Sequence, residues 1–379
     1  MSDLRKSRIK SLYIDNYKTF VNFKIDFDKF NFFIGNNGVG KSNLFSFLFR
    51  LSKFIDGKLI RNVFSNSYLT RWYKKNTLNC ELVLENGHDI YNYSFIVGYD
   101  EETLNSTVIQ EKLLFNNNFI MYAENGELQF YYDDFEKGPK INYDNEKSAF
   151  SFIVESKNNK KLMWFKNRLL NNIVIKLNPQ QIDGKANSAE NELNQTGEKF
   201  ASWFQILNQE NPEIIQELNN NLKNVFDTYK FFRFKRISEE LKNLILVFNE
   251  KKNNEEIDYN FDELSEGQRS LFFYYTLLAY AKNRECSIFI DEPVNYIALS
   301  EIQPLMSEFY DVSHDNDLQI SLISHHPEVI NYLMPDVKTF LFEREDNYHT
   351  RYHVFNSDNE KDSNLLYSEL VQRGWLKSG

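Results

Sequence analysis

The stretch Gly35-Asn36-Asn37-Gly38-Val39-Gly40-Lys41-Ser42-Asn43 joins backbone freedom to one ammonium and one hydroxyl. Glycines let successive N–H groups turn toward phosphate oxygens. Lys41 is placed to reach the β- and γ-phosphates of a nucleoside triphosphate, and Ser42 to bind Mg²⁺. The spacing carries meaning only between a strand and a helix. Both are expected here: "FNFFIG" is an apolar run, and Leu44, Phe47, Leu48 and Leu51 recur at helical spacing. The helix start adds the positive end of its dipole.

Such a loop needs a carboxylate partner, and "CSIFIDEP" supplies two at the end of an apolar strand. Asp291 would hold the Mg²⁺ shell through water, and Glu292 would orient or deprotonate an attacking water. In "LSEGQRS", Ser265, Gly267 and Gln268 stand at the start of the next expected helix, where a hydroxyl and an open N–H suit an anion. A plain helix cap would use the same Ser265. In "LQISLISHHPEV" a strand runs into Ser324, His325 and His326. An imidazole there can bond a γ-phosphate and sense its loss. The residue directly after the strand, His325, is the preferred one, with His326 as the alternative. A metal site built on the pair lacks a third ligand at ordinary spacing.

The elements that must hold these groups read as an α/β chain. Residues 8–34 predict three short strands, and 78–132 an antiparallel β meander whose aromatics form sheet core, with Asn86-Gly87 and Asn125-Gly126 as turns. Residues 160–255 read as mostly helical, with Pro212 at a helix start. Two polar strips, 183–197 and 249–260, read as exposed loops. From Leu264 onward the pattern predicts helix 269–282, strand 286–290, helix 299–311, strand 318–323, a hairpin near 338–355 and a closing helix near 364–374. Asp315-Asn316-Asp317 reads as a plain turn. The expected organisation is an N-terminal lobe (1–150) with phosphate loop and meander, a helical insertion (151–260), and a C-terminal lobe (261–379) with the carboxylates and histidines.

The chain has 379 residues and a formal net charge of -10, which argues against broad, unaided coating of nucleic acid. Its two cysteines, Cys80 and Cys286, sit in no metal-ligand spacing and suit a reducing cytosol. No apolar run is long enough to span a membrane and the N-terminus lacks a signal-peptide core, so a cytoplasmic protein without a membrane partner is expected.

The phosphate loop "GNNGVGKSN", the signature "LSEGQ", the acidic strand "IFIDEP" and the switch "ISHH", in this order, resemble the ABC-type ATPases of the SMC, RecF and OLD kind. The opening "IKSLYIDNYKTF" is similar to that group's first strand and turn. "EKLLF" at 111–115 and "NELNQTGEKFASWFQIL" at 191–207 are similar to weaker patterns of the prokaryotic OLD-related branch. The resemblance implies an ABC-type ATPase head, a P-loop NTPase carrying a β meander and a helical insertion. It implies ATP and Mg²⁺ as cofactors, with Asn36, Asn37, Gly38, Gly40, Lys41, Ser42 and Asn43 on the nucleotide and Ser42 and Asp291 on the metal. Glu292 and His325 are the catalytic pair. It also implies a head-to-tail homodimer, possibly a higher oligomer, in which Ser265, Gly267 and Gln268 of one copy cap the ATP on Lys41 of the other. The sequence departs from the OLD-like pattern after "DEP", where Val294 stands for an acid and Ala298-Leu299 for a His-Pro pair. The glutamine loop has only Gln180 and Gln181 as candidates.

Between Ser42 and Leu264 there are no sustained heptads, so a long SMC-type arm is not expected. After the last expected hairpin the sequence leaves no room for an OLD-type nuclease domain. The leading expectation is a sensor or regulatory ATPase of a prokaryotic antiphage system that controls a separate nuclease or toxin. The alternative is a RecF-like ATPase of DNA repair, with "YKFFRFKR" (Lys230, Arg233, Lys235, Arg236) as the DNA-facing stretch and "KNNKKLMWFKNR" as a weaker one, although the first stretch reads more readily as a plain strand with one apolar and one charged face. A third is a scaffold that binds ATP and hardly turns it over, against which an intact Glu292 counts.

Overall fold

The computed structural model describes residues 7–100, 102, 105–187, 192–250, 255–282, 284–345, 348–355 and 366–373. The two outer strands of the N-terminal segment, β1 (Ser7–Asp15) and β2 (Phe23–Asp26), form a hairpin, and β3 (Phe30–Gly35) leads into α1 (Lys41–Ile55). A short α2 (Ile60–Val63) precedes the meander β4 (Thr77–Asn86), β5 (Asp89–Tyr99), β6 (Ser106–Phe115), β7 (Asn118–Glu124), β8 (Glu127–Tyr131) and β9 (Lys137–Asn142). Then come α3 (Lys160–Leu170), β10 (Ile173–Ile175), β11 (Lys185–Asn187), α4 (Phe200–Glu210), α5 (Pro212–Val225), β12 (Tyr229–Arg236), β13 (Leu241–Asn249) and β14 (Glu256–Asn260). The last third holds α6 (Glu266–Ala281), β15 (Ser287–Asp291), α7 (Leu299–Asn316), β16 (Gln319–Ile323), α8 (Pro327–Leu333), β17 (Lys338–Glu345), β18 (His349–Val354) and α9 (Tyr367–Arg373).

Among the described residues, eight strands make an antiparallel sheet of order β2-β1-β4-β5-β6-β7-β8-β9. Its β7–β8 turn is set by Asn125 and Gly126, both at positive φ (47° and 85°), the pairing a tight hairpin needs. A second sheet has the order β10-β15-β16-β3-β17-β18, parallel except for the final hairpin. Its central strands β3, β15 and β16 are buried on both faces, as strands covered on both sides must be. Alternate residues feed two different cores. Phe33, Phe289, Ile323 and Phe340 face the layer holding α1, α3 and the antiparallel sheet. Phe32, Ile34, Ile288, Ile290, Ile320 and Leu322 face the layer of α6, α7 and α8. Most of the meander's aromatics are core as expected, Phe95 packing on Phe54 of α1 and Tyr93 on Phe165 of α3, while Phe119 of β7 is exposed.

Two buried charges staple these layers. Arg168 of α3 is fully buried and donates to the Ser7 hydroxyl (2.8 Å), Asn172 Oδ1 (2.6 Å) and the Ser287 hydroxyl (2.7 Å), so one guanidinium joins β1 to β15. Burial pulls it down to about 10. Glu111, the acid of "EKLLF", accepts from Tyr93 OH (2.8 Å), Ser148 OH (2.7 Å) and Ala149 N–H (2.8 Å), and so pins the return of the chain after β9.

The middle of the chain corrects the helical expectation. Helices end at Val225, and 229–236 and 241–249 are strands, joined by β11 and β14 into a third, four-stranded sheet. The apolar spacing of "LKNLILVF" fits either period, and pairing with β12 and β14 decides it. Parts of both polar strips are therefore strand (185–187 and 256–260). Residues 188–191 and 251–254 of those strips, and the ends of the closing helix, lie outside the described residues. The expected turn at Asp315-Asn316-Asp317 is shorter than that: α7 runs on through Asp315 and Asn316, and only Asp317 turns, as the left-handed C-cap of α7 paired with Lys29. No helix among the described residues is long and apolar enough to cross a membrane.

Candidate functional site

Because β15, β16 and β3 are adjacent and parallel, their C-terminal ends open on one edge. That edge carries the acids after β15, the histidines after β16 and the phosphate loop after β3. A cleft of about 240 Å³ results, lined by Asn37, Gly38, Gly40, Lys41, Ser42, Asn43, Lys176, Asp291, Glu292, Ile323 and His325.

The loop's shape depends on its glycines. Gly40, the residue before α1, sits at φ 113°, and a Cβ there would lie 2.5 Å from Thr350 Oγ1 and 2.9 Å from Thr19 Oγ1. Those threonines form a clamp that the sequence did not reveal. The Thr350 hydroxyl donates to the Val39 carbonyl (2.6 Å) and meets the Thr19 hydroxyl at 2.7 Å. Gly35 at φ 142° lies so close to β17 that a Cβ would collide with the Phe342 carbonyl at 2.2 Å. Gly38, in contrast, faces open space.

Lys41 is buried and folds back on its own loop, donating to the carbonyls of Gly35 (2.6 Å) and Asn36 (3.0 Å). Asn36 thus contributes a carbonyl and does not line the cleft. Burial pushes the ammonium down to about 8, although Glu292 and Asp291 oppose that shift. Asn43 is held by Lys18, whose ammonium donates to its side-chain oxygen at 3.0 Å.

Asp291 is buried at the end of β15. Glu292 follows at φ 56°, a left-handed conformation that costs a side-chain-bearing residue about 1–2 kcal/mol. A backbone bond from Glu292 N–H to the Ile323 carbonyl (2.9 Å) holds it there. In this pose its carboxylate accepts from His325 N–H (3.3 Å) and lies 3.5 Å from His325 Nε2. Burial first, and the charge of Asp291 second, raise the Glu292 carboxyl; the His325 N–H and Lys41 work against the rise. Burial and Lys41 lower the His325 imidazole. A carboxylate raised in this way is a better proton acceptor. His326 turns elsewhere: its Nδ1 accepts from Glu328 N–H (3.3 Å) as the cap of α8.

The Ser42 hydroxyl and the Asp291 carboxylate are hard oxygen donors on one cleft. Mg²⁺ keeps several waters and phosphate oxygens and needs only one or two such ligands. Among the described residues no cluster of three or more His, Cys, Asp or Glu could make a closed metal cage. The donor set therefore fits Mg²⁺ delivered with a nucleotide.

Ser265, Gly267 and Gln268 are not brought to this cleft. Ser265 caps α6 in a reciprocal box: its hydroxyl oxygen accepts from Gln268 N–H (3.2 Å), while the Gln268 side chain accepts from Ser265 N–H (3.0 Å). Gly267 packs on the segment after the acids, where a Cβ would meet the Tyr296 carbonyl at 2.7 Å. Gln180 is bonded to Glu266 at 3.0 Å, and Gln181 bends back to the Asn178 carbonyl; neither lines the cleft. The residue that does stand there is Lys176, 3.5 Å from Asp291. No motif marks it, since only the pairing of β10 with β15 places it.

The stretch "YKFFRFKR" is β12, with Lys230 paired to Glu256 (2.7 Å) and Arg233 to Asp258 across the sheet. Two of its four cations are thus already matched by acids of β14.

Comparison with known proteins agrees with this architecture. A domain-family model described as "AAA domain, putative AbiEii toxin, Type IV TA system" matches residues 30–331. An SMC head domain with an extended coiled coil, bound to the C-terminal domain of ScpA and derived from Pyrococcus furiosus, superposes with a TM-score of 0.51. It is 12% identical, over 94% of this chain and 98% of that one. A second SMC head, bound to the C-winged helix domain of ScpA, gives 0.50 at 12% identity, over 94% of this chain and 99% of the other. At such identities the likeness concerns the fold alone. No curated protein matches the chain. With the family model covering most of the chain, and the phosphate loop and acidic strand set in a fold like that of SMC heads, this protein belongs to the AAA domain family of that description.

Proposed function

We propose that the chain binds ATP with Mg²⁺ in the cleft at the edge of β3, β15 and β16, hydrolyses it, and does so as a head-to-tail homodimer. One observation carries the dimer. The cleft is lined by the phosphate loop, the acids and His325, while Ser265 and Gly267 of the same chain lie outside it. An exposed helix start with a hydroxyl and free N–H groups suits the triphosphate of another copy. In this reading Lys41 leaves its loop carbonyls for the phosphates, Ser42 and Asp291 hold the metal, Glu292 takes the proton of the attacking water, and His325 reads the γ-phosphate. Mg²⁺, when bound, supplies charge neutralisation at the β- and γ-oxygens. Loss of the γ-phosphate then releases the pair.

We propose that the protein works in the cytoplasm, as a member of the OLD-related branch and as the sensor or regulator of an antiphage system whose nuclease or toxin is a separate protein. The family description, which names a toxin–antitoxin setting, supports that reading. The RecF-like repair reading has less support, because two of its four proposed DNA contacts, Lys230 and Arg233, are paired with Glu256 and Asp258. The test uses purified protein with Mg-ATP. Phosphate release is expected to fall at least about a hundredfold in Glu292→Gln and to vanish in Lys41→Ala, and a neighbouring gene product should be bound or switched by the wild type. Equal, near-zero release from wild type and Glu292→Gln would overturn hydrolysis, and indifference of every neighbouring product would overturn the regulatory role.

A further inference from the structure

The cleft contains a cation that none of the motifs accounts for. Ile175 of β10 pairs in register with Ile290 of β15, so the next residues, Lys176 and Asp291, emerge side by side at the catalytic edge. The Lys176 backbone is fixed, its N–H bonded to the Gln195 carbonyl at 2.9 Å. Its side chain is not. It is 70% exposed, and its ammonium lies 3.5 Å from Asp291, an ion-pair distance too long for a well-formed hydrogen bond. Exposed pairs of this kind hold little energy.

The charges lining the cleft apart from His325 are Lys41, Lys176, Asp291 and Glu292. Two acids would repel a polyphosphate if Lys41 alone opposed them. Lys41 emerges from the loop, beside the glycines that cradle the chain of phosphates. Lys176 emerges on the far side of the acids from that loop, beside Asp291, in the cleft where the terminal phosphoryl group must sit to be attacked. Lysine's flexible stem and compact charge suit a move over a short distance.

We propose that Lys176 is a second, γ-phosphate-directed cation of this site: it exchanges Asp291 for the terminal phosphate, so the pocket distinguishes a triphosphate from a diphosphate. The inference rests on the ATP-binding reading above and deepens it. A charge-assisted bond of this type, about 1.5–3 kcal/mol, corresponds to roughly a tenfold or greater change in affinity.

The experiment is calorimetric titration of ATP and of ADP, each with Mg²⁺, into wild type, Lys176→Ala, Lys176→Gln and Lys176→Arg. Thermal melts serve as a folding check, which an exposed side chain should pass. Lys176→Ala and Lys176→Gln should weaken ATP by about tenfold or more and ADP by less than about twofold, and Lys176→Arg should keep most of the preference. Equal weakening of both nucleotides, unchanged ATP affinity, or tighter ATP binding once the ammonium no longer occupies Asp291 would each overturn the proposal while leaving the parent reading intact. Absence of any Lys41-dependent nucleotide binding by wild type would overturn both.

Discussion

At the scale of single residues the site is a set of groups held away from their ordinary ionisation. Burial pushes Lys41 down to about 8 in the nucleotide-free protein. A polyphosphate binds the ammonium and not the amine, so above that pH the protein must take up a proton as it binds. Affinity for ATP should be level below about pH 7 and fall toward about tenfold per pH unit well above the Lys41 value. Lys41→Arg, always charged, should lose that break even if its geometry binds more weakly. Calorimetry across this range at constant ionic strength checks it, and a wild-type Kd that stays flat to about pH 9.5 would refute the assignment of the ammonium. Glu292 and His325 move in the opposite sense to each other, the acid up and the imidazole down. Each is thereby drawn toward its uncharged form, and the strained φ of Glu292 keeps the two side by side.

At the scale of elements, some features were legible and others were not, for identifiable reasons. The phosphate loop is contiguous, so a glycine spacing between a strand and an amphipathic helix was enough to place it. The acids and His325 were legible because each stands at, or within two residues of, the end of a short apolar strand. Adjacency of β15, β16 and β3 then brought them together. The Thr19–Thr350 clamp and Lys176 were not legible, because each depends on pairing between segments far apart in the chain. The strand β13 was hidden for a third reason: its apolar residues suit helix and strand alike, and only its partners choose, whereas β12 was legible from its apolar and charged faces. The signature element shows how one local pattern serves two ends. Ser265 caps α6 by accepting through its oxygen, which leaves the hydroxyl able to donate a further bond. Replacing it by alanine costs about 1 kcal/mol of helix stability, which confuses any test of a phosphate contact. Ser265→Asp separates the two, since aspartate caps as well as serine but presents a negative charge. Ser265→Asp should melt like wild type in the absence of nucleotide and lose ATP-dependent self-association, whereas Ser265→Ala should melt earlier. Comparing the melting curve and the association state of each variant checks this; a Ser265→Asp protein that still self-associates normally would confine Ser265 to its capping role.

At the scale of the whole molecule, the buried Arg168 bonds join β1, α3 and β15 into one body. The cleft is thereby mounted on a rigid frame, with the signature helix start on a different part of its surface. On the reading proposed above, each molecule carries half of a nucleotide site in each of two places, and a second copy brings the unlike halves together. The direct measurement is sedimentation equilibrium of Glu292→Gln, with and without Mg-ATP, beside the same protein carrying Ser265→Asp. Head-to-tail capture of ATP predicts the mass of one chain without nucleotide, of two chains with it, and of one chain again when Ser265→Asp is added. A protein that binds ATP through Lys41 yet keeps the mass of a single chain throughout would contradict it.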